Sequence, residues 1–113
     1  MTRAAEKQFL VADINAELGE KTTADLCAAG HTAVFQRTDV TQSADWAKLV
    51  EATLARFGRL DIMVNNAGIS HANQPMLNVG EAEFDRIFQV NVKSIYLSSV
   101  HCVPVFRRQK RGC

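Results

Sequence analysis

The chain has 113 residues, 47% hydrophobic, 22% charged and 7% aromatic, with six glycines and two prolines. That ordinary globular composition excludes disorder, collagen and a disulfide-stapled mini-protein, and the length suits one modest domain with a single core. Thirteen basic against twelve acidic residues leave a net charge of +1, so no global field draws in DNA or an anionic membrane.

Read in chain order, strand-like and helix-like segments alternate. Residues 9–12 (Phe-Leu-Val-Ala) are a short continuous apolar run, the pattern of a strand buried on both faces, and they end at Asp13. Asn15 suits the N-cap of a following helix and Gly30 the position just past its end, while Glu17 and Lys21 form a favourable i,i+4 pair. Residues 32–36 read as a second strand, closing at Thr38-Asp39-Val40. Thr41 can then cap a helix on which Ala47, Val50, Leu54 and Phe57 recur at helical spacing, with Gly58 as its stop.

A third strand is predicted from Leu60 and residues 62–64, running straight into Asn65-Asn66-Ala67-Gly68. After a polar loop to about Gly80, a long helix starts near Glu81, and Phe84, Ile87, Phe88, Val92 and Ile95 mark its expected buried stripe. Pro104 should kink or end that helix, and Arg107, Arg108, Lys110 and Arg111 sit where cations suit the negative end of a helix dipole. These four supply nearly a third of the positive charge and are read as a solvated helix end, not a nucleic-acid contact. Strands separated by helical segments of this length imply parallel pairing through crossovers, and the fold class is α/β.

Cys27, Cys102 and Cys113 are an odd set without CxxC spacing or a nearby His pair. Neither a disulfide framework nor a metal site is signalled, and idle thiols fit a reducing compartment. The first residues lack the apolar run of a secretory signal, and no window reaches the ~18 uninterrupted apolar residues that span a bilayer. A cytoplasmic protein with no membrane partner is expected.

In open parallel sheets, ligands bind beyond the carboxyl ends of the strands. That rule selects Asp13, Asp39 and Asn65-Asn66-Ala67-Gly68. A carboxylate at Asp13 can accept both ribose hydroxyls of an adenine nucleotide and would repel a 2′-phosphate; standing alone it also fits a strand-end turn. Asp39 could equally satisfy backbone donors ahead of the helix. Two adjacent amides followed by small residues leave a strand end that a ligand can approach closely, although a plain turn uses the same residue types. Asn91 falls on the apolar stripe of the long helix, where an unpaired amide would cost about 1–3 kcal/mol. It either ties the helix to a neighbour or holds water and a reacting group in place. His71, in the loop after Gly68, reads as a solvated loop histidine.

Together these residues resemble the short-chain dehydrogenase/reductase family. Residues 60–69 (Leu-Asp-Ile-Met-Val-Asn-Asn-Ala-Gly-Ile) are similar to its fourth-strand motif almost letter for letter, and Asp39-Val40 match its adenine-contacting pair. Asp13 falls where NAD-preferring members carry an acid, and Gln89-Val90-Asn91-Val92-Lys93 match the segment whose Asn belongs to the Asn-Ser-Tyr-Lys catalytic set. The resemblance runs from about residue 9 to residue 109. It implies a partial Rossmann-like, doubly wound sheet over residues 1–113, with three strands alternating with helices and the first and last strands of the family fold absent. Asp13, Ile14, Asp39, Val40, Asn65, Ala67 and Gly68 would bind the cofactor, NAD in preference to NADP. Asn91 would be catalytic, in hydride exchange between the nicotinamide and a secondary alcohol or carbonyl. Self-association through the long helix is implied as well.

The chain departs from the family pattern at both ends. No glycine precedes Gly19, residues 2–7 read as the last turn of an earlier helix, and the sole tyrosine, Tyr96, is followed four positions on by Val100, so there is no Tyr-x-x-x-Lys. Weak cofactor binding and no turnover by this chain alone are therefore expected. In a sheet of order 3-2-1-4 the strand ending at Asp13 and the strand ending at Val64 would flank a gap, so they are expected either to pair directly or to leave a marginal chain. The competing reading is a non-catalytic binding or assembly module built on the helix at residues 81–107.

Overall fold

The structure, a computed structural model, describes residues 6–71 and 73–113. Strand β1 (Gln8–Asp13) leads through helix α1 (Ala16–Ala28) to strand β2 (Thr32–Arg37), and the two strands pair in parallel with Gln8 beside Thr32 and Asp13 beside Arg37. This is the crossover unit that the alternation predicts. Asn15 caps α1 by accepting from the Leu18 amide at 3.1 Å. At the other end Gly30 takes φ +94°, with its amide on Cys27 O at 3.1 Å and the His31 amide on Leu26 O at 3.1 Å. That pair of reversed bonds is a Schellman cap, which needs the left-handed conformation glycine adopts freely. Gly19, inside α1, is buried against Phe35, where an added Cβ would lie 2.0 Å from Cε2 of the ring. The helix accepts the propensity cost of a glycine, about 1 kcal/mol, to seat that ring. Glu17 and Lys21 do not come within ion-pair distance; the ion pairs among the described residues are those of Asp61 with Arg59 and Arg111. An exposed i,i+4 pair is worth only about 0.2–0.5 kcal/mol and does not hold two long side chains together.

Helix α2 spans Ser43–Phe57 and stops at Gly58, φ +78°, whose amide returns to Leu54 O at 2.8 Å. Its cap differs from the expectation at Thr41. The Thr41 amide and hydroxyl both donate to Asp39 Oδ1, at 3.0 and 2.7 Å, so Thr41 belongs to the preceding turn and Gln42 occupies the cap position without a side-chain bond. The buried face is Trp46, Leu49, Val50 and Thr53, whereas Ala47 is exposed. The predicted stripe had the right period and was displaced by one residue around the helix.

The long helix is present as α3 (Glu81–Phe88), a π turn (Gln89–Lys93) and α4 (Ser94–Gln109), in unbroken succession. Its inward face is not the predicted one. Phe84, Phe88, Val92 and Ile95 are about half exposed, and Ser94, Leu97, Ser98, Cys102 and Val105 are buried instead. The buried serines bond within the helix, Ser94 Oγ to Val90 O and Ser98 Oγ to Ile95 O, so small polar residues occupy the close-packed face without an unmet hydroxyl. Pro104 neither ends the helix nor stops it short of Gln109. It lies on the exposed side, as does Val100, whose carbonyl loses its i+4 donor where water can replace it.

The core is the α2–α4 interface: Trp46, Leu49 and Val50 against Leu97, Cys102 and Val105, with Leu10 of β1, Leu60, Met63 and Phe106 packed at its edges. Ser43 Oγ and His101 Nε2, 3.0 Å apart, tie the start of α2 to α4.

The third predicted strand does not form, and of the two outcomes expected for its pairing the direct one does not occur. Residues 60–64 form no strand, and they do not pair with β1, whose strand partner among the described residues is β2. Strand structure is a property of neighbours as well as of sequence, and here other groups satisfy the backbone. Gln109 takes both polar groups of Leu60, accepting from its amide at 2.9 Å and donating to its carbonyl at 2.6 Å. Cys113 lies alongside, its amide on Asp61 O at 2.8 Å and its carbonyl accepting from the Met63 amide at 2.7 Å. Ile62 and Val64 are left 64% and 70% exposed. Of the expected N-terminal turn, residues 2–5 lie outside the described residues, and Glu6 and Lys7 are not helical.

Candidate functional site

The carboxyl ends of β1 and β2, the extended segment leading to Gly68, and the junction of α3 with the π turn together enclose a cavity of about 510 Å³. Seven residues singled out by the strand-end rule and the family resemblance line it: Asp13, Ile14, Asp39, Val40, Asn65, Ala67 and Gly68. The volume lies within the range of small-molecule sites.

Local hydrogen bonding shapes each wall. Asp13 Oδ1 accepts from the Asn15 amide at 2.9 Å, which aims the carboxylate over the start of α1. Asp39 organises the next turn, its Oδ1 taking both donors of Thr41, while its own amide donates to Asp45 Oδ2 at 2.8 Å. Each aspartate therefore does the turn work that the plainer reading assigned to it, and the second carboxylate oxygen of each has no hydrogen-bond partner among the described residues. Val40 is fixed from beneath by the buried Trp46, whose Nε1 donates to Val40 O at 2.9 Å. Thr38, also buried, donates its hydroxyl to Gln36 O at 3.1 Å.

Asn91 is not among the residues that line the cavity; it fastens the segment after Gly68 to the long helix. Its Oδ1 accepts from the Ile69 amide at 2.8 Å and its Nδ2 donates to Ile69 O at 2.7 Å. The side-chain amide thus pairs with a backbone unit as a neighbouring strand would. Of the two sequence readings, the tie to a neighbour is the one with a visible partner. The π turn carries Asn91 at its centre, and such turns re-aim one helical residue. Gly68 lies alongside, where an added Cβ would be 3.6 Å from Asn91 Oδ1, an ordinary contact; close approach to Asn91 is not what requires glycine there.

Sequence reasoning missed several lining residues, namely Trp46, Arg86, Gln89 and Ser94. Trp46, the single tryptophan of the chain, was detectable from its size and its place one step from the predicted stripe. Arg86 gave no signal, since a lone arginine on an amphipathic helix resembles any solvated residue. Cys102 is packed in the core, where burial pushes its thiol up to about 11, so it is protonated and inert near neutral pH. Arg59 holds the Asp61 carboxyl below the usual carboxylate range through a two-pronged hydrogen bond, and neither residue lines the cavity. Among the described residues no three His, Cys, Asp or Glu side chains gather as a metal site, and no helix is long and apolar enough to cross a membrane.

Residues 2–113 match the family model described as short chain dehydrogenase. Over 103 residues the chain is 46% identical to 4-formylbenzenesulfonate dehydrogenase of Comamonas testosteroni, covering 91% of this chain and 41% of that protein. Among solved structures it superposes on 3-ketoacyl-(acyl-carrier-protein) reductase of Brucella melitensis complexed with NADH. That match has a TM-score of 0.82 and 36% identity over 88% of this chain and 40% of the other. It also superposes on a metagenomic short-chain oxidoreductase in complex with NADP, with a TM-score of 0.83 and 30% identity over 91% of this chain and 47% of the other. The chain spans about two fifths of the length of the curated relatives it matches.

Proposed function

Because this chain belongs to the short chain dehydrogenase family, we propose that its cavity is the adenosine side of a nicotinamide dinucleotide site. The oxidoreductase it serves would exchange a hydride with a small secondary alcohol or carbonyl. The observation that carries this reading is the convergence of Asp13, Ile14, Asp39, Val40, Asn65, Ala67 and Gly68 on one cavity.

The residues present suit such a ligand chemically. The free oxygen of Asp13 can accept ribose hydroxyls, and its charge disfavours a 2′-phosphate, which supports NAD over NADP. Val40, pinned by Trp46, offers an apolar edge to the adenine. Ala67 and Gly68 leave backbone accessible beside it. Bound nicotinamide would supply the hydride chemistry. Asn91 is proposed to support proton relay: with one Nδ2 hydrogen and one lone pair of Oδ1 committed to Ile69, the other hydrogen and lone pair remain for a water. The 113 residues contain no Tyr-x-x-x-Lys, and Tyr96 is exposed on α4 outside the cavity. Binding without turnover is the expected behaviour of this chain.

Titration of the ¹⁵N-labelled chain with NAD⁺ should perturb the amides of Asp13, Asp39, Val40 and residues 65–68, with weaker changes for NADP⁺. An unperturbed spectrum, or changes confined to another face, would refute the reading. With carbonyl substrates the chain should consume no NADH above the buffer rate.

Self-association through the long helix belongs to the same proposal. Phe84, Phe88, Val92 and Tyr96 form an exposed apolar stripe in which the two phenylalanine rings lie 5.1 Å apart. Sedimentation equilibrium should find a dimer that Phe88→Glu dissociates; a wild-type monomer at the highest soluble concentration would rule this out. A cytoplasmic site of action is proposed too, and three unbonded thiols support it.

A further inference from the structure

Among the described residues that line the cavity, the ionisable groups are Asp13, Asp39 and Arg86. The two carboxylates suit ribose hydroxyls but repel phosphate, so a nucleotide seated there brings its negative groups into an acidic surround. Arg86 is the one cation facing it. It is exposed, and among the described residues its guanidinium makes no hydrogen bond or ion pair. Its placement is enforced by helical geometry: Arg86, Gln89 and Val90 stand at i, i+3 and i+4, share one face of the helix, and all line the cavity. Asn65 and Asn66, which carry neutral amides, line the same space. An arginine elsewhere on α3 would carry no such implication; this one lines the cavity.

We propose that Arg86 is a phosphate-binding residue, donating hydrogen bonds from its guanidinium to a phosphoryl group of the nucleotide whose adenosine is held by Asp13 and Asp39. The proposal rests on the nucleotide-site reading above and adds to it a cation on the long helix. Guanidinium offers paired N–H groups that match phosphate oxygens and stays charged at every accessible pH. Charge-assisted bonds of this kind change affinity about tenfold or more.

The test compares adenosine with 5′-ADP by amide-shift titration of the full 113-residue chain, as wild type, Arg86→Ala and Arg86→Lys. Wild type should bind ADP about tenfold or more tightly than adenosine. Arg86→Ala should remove that preference while leaving adenosine affinity unchanged, and Arg86→Lys should keep part of it by charge alone. Circular dichroism of the variants should match wild type, since the side chain is exposed. An unchanged ADP preference in Arg86→Ala would overturn the assignment and leave the nucleotide site standing. Equal loss of adenosine and ADP in Arg86→Ala would overturn it in favour of a contact to the base or ribose. Binding of neither ligand by wild type would overturn both the assignment and the site.

Discussion

Trp46→Ala should destabilise the chain by about 3–5 kcal/mol, enough to remove most or all of the stability of a domain this small. Trp46 is 1% exposed and sits at the centre of the α2–α4 core, against side chains that include Leu49, Leu97 and Val105. Truncation leaves a void that two helices joined through the rest of the fold cannot collapse onto. It also removes the donor to Val40 O, so the floor of the cavity loosens together with the core. Urea denaturation followed by circular dichroism measures the first effect. Trp46→Phe bears on the second, because it keeps most of the ring volume and removes the N–H. Amide shifts of residues 39–41 should move in Trp46→Phe while the fold persists. A loss of no more than about 0.5 kcal/mol in Trp46→Ala, the ordinary size for a surface change, would contradict the assigned core.

Asn91→Leu should cost about 1–3 kcal/mol and release the loop after Gly68, because both polar groups of Ile69 lose their partner at once. Hydrogen exchange at the Ile69 amide reports the release directly. Protection equal to wild type would show that the side-chain amide is not the fastening. Asn91→Asp provides a signed companion test. The introduced carboxyl still accepts from the Ile69 amide, but its second oxygen faces the Ile69 carbonyl and can bond only when protonated. Its folded-state pKa is therefore raised above the unfolded value near 3.9. A group of that kind contributes stability that is complete below its unfolded pKa and lost as pH rises through its folded pKa. Asn91→Asp should thus melt closer to wild type at pH 4 than at pH 7. Equal deficits at the two pH values would refute the two-way bond.

The two carboxamides of the long helix share one device. Asn91 takes both polar groups of Ile69, and Gln109 takes both of Leu60. The segment from residue 60 to residue 69 is therefore clamped at both ends by side chains that imitate a strand edge. With the backbone bonds of Cys113 to Asp61 and Met63, this explains how a run with the composition of a strand is held without joining the sheet. Its composition alone could not reveal that, because Leu60, Ile62 and Val64 read as a strand whichever group pairs with their backbone.

The helix faces were misread for a related reason. On the long helix, Phe84, Phe88, Val92 and Ile95 outweigh Asn91, Ser94 and Ser98 in hydrophobicity, so periodicity selects the outer face. Packing selected the inner one, where small serines with internally bonded hydroxyls let α4 lie close to Trp46. Hydrophobicity measures what a residue gains on burial; it does not record which surface the rest of the fold offers.

The amino-acid sequence by itself determined the α/β alternation, the Asn15 cap and Gly30 stop of α1, the Gly58 stop of α2, the family, and the strand-end residues that gather at the cavity. These follow from local chemistry: a cap, a left-handed glycine and a short apolar run each act within a few residues. Tertiary structure alone decided which stripe of each helix is buried, that residues 60–64 are held by amides and not by a strand, and that Arg86 joins Asp13 and Asp39 at one site. Those outcomes depend on contacts between residues distant in the chain, where volume, hydrogen-bond satisfaction and charge are settled jointly by several elements.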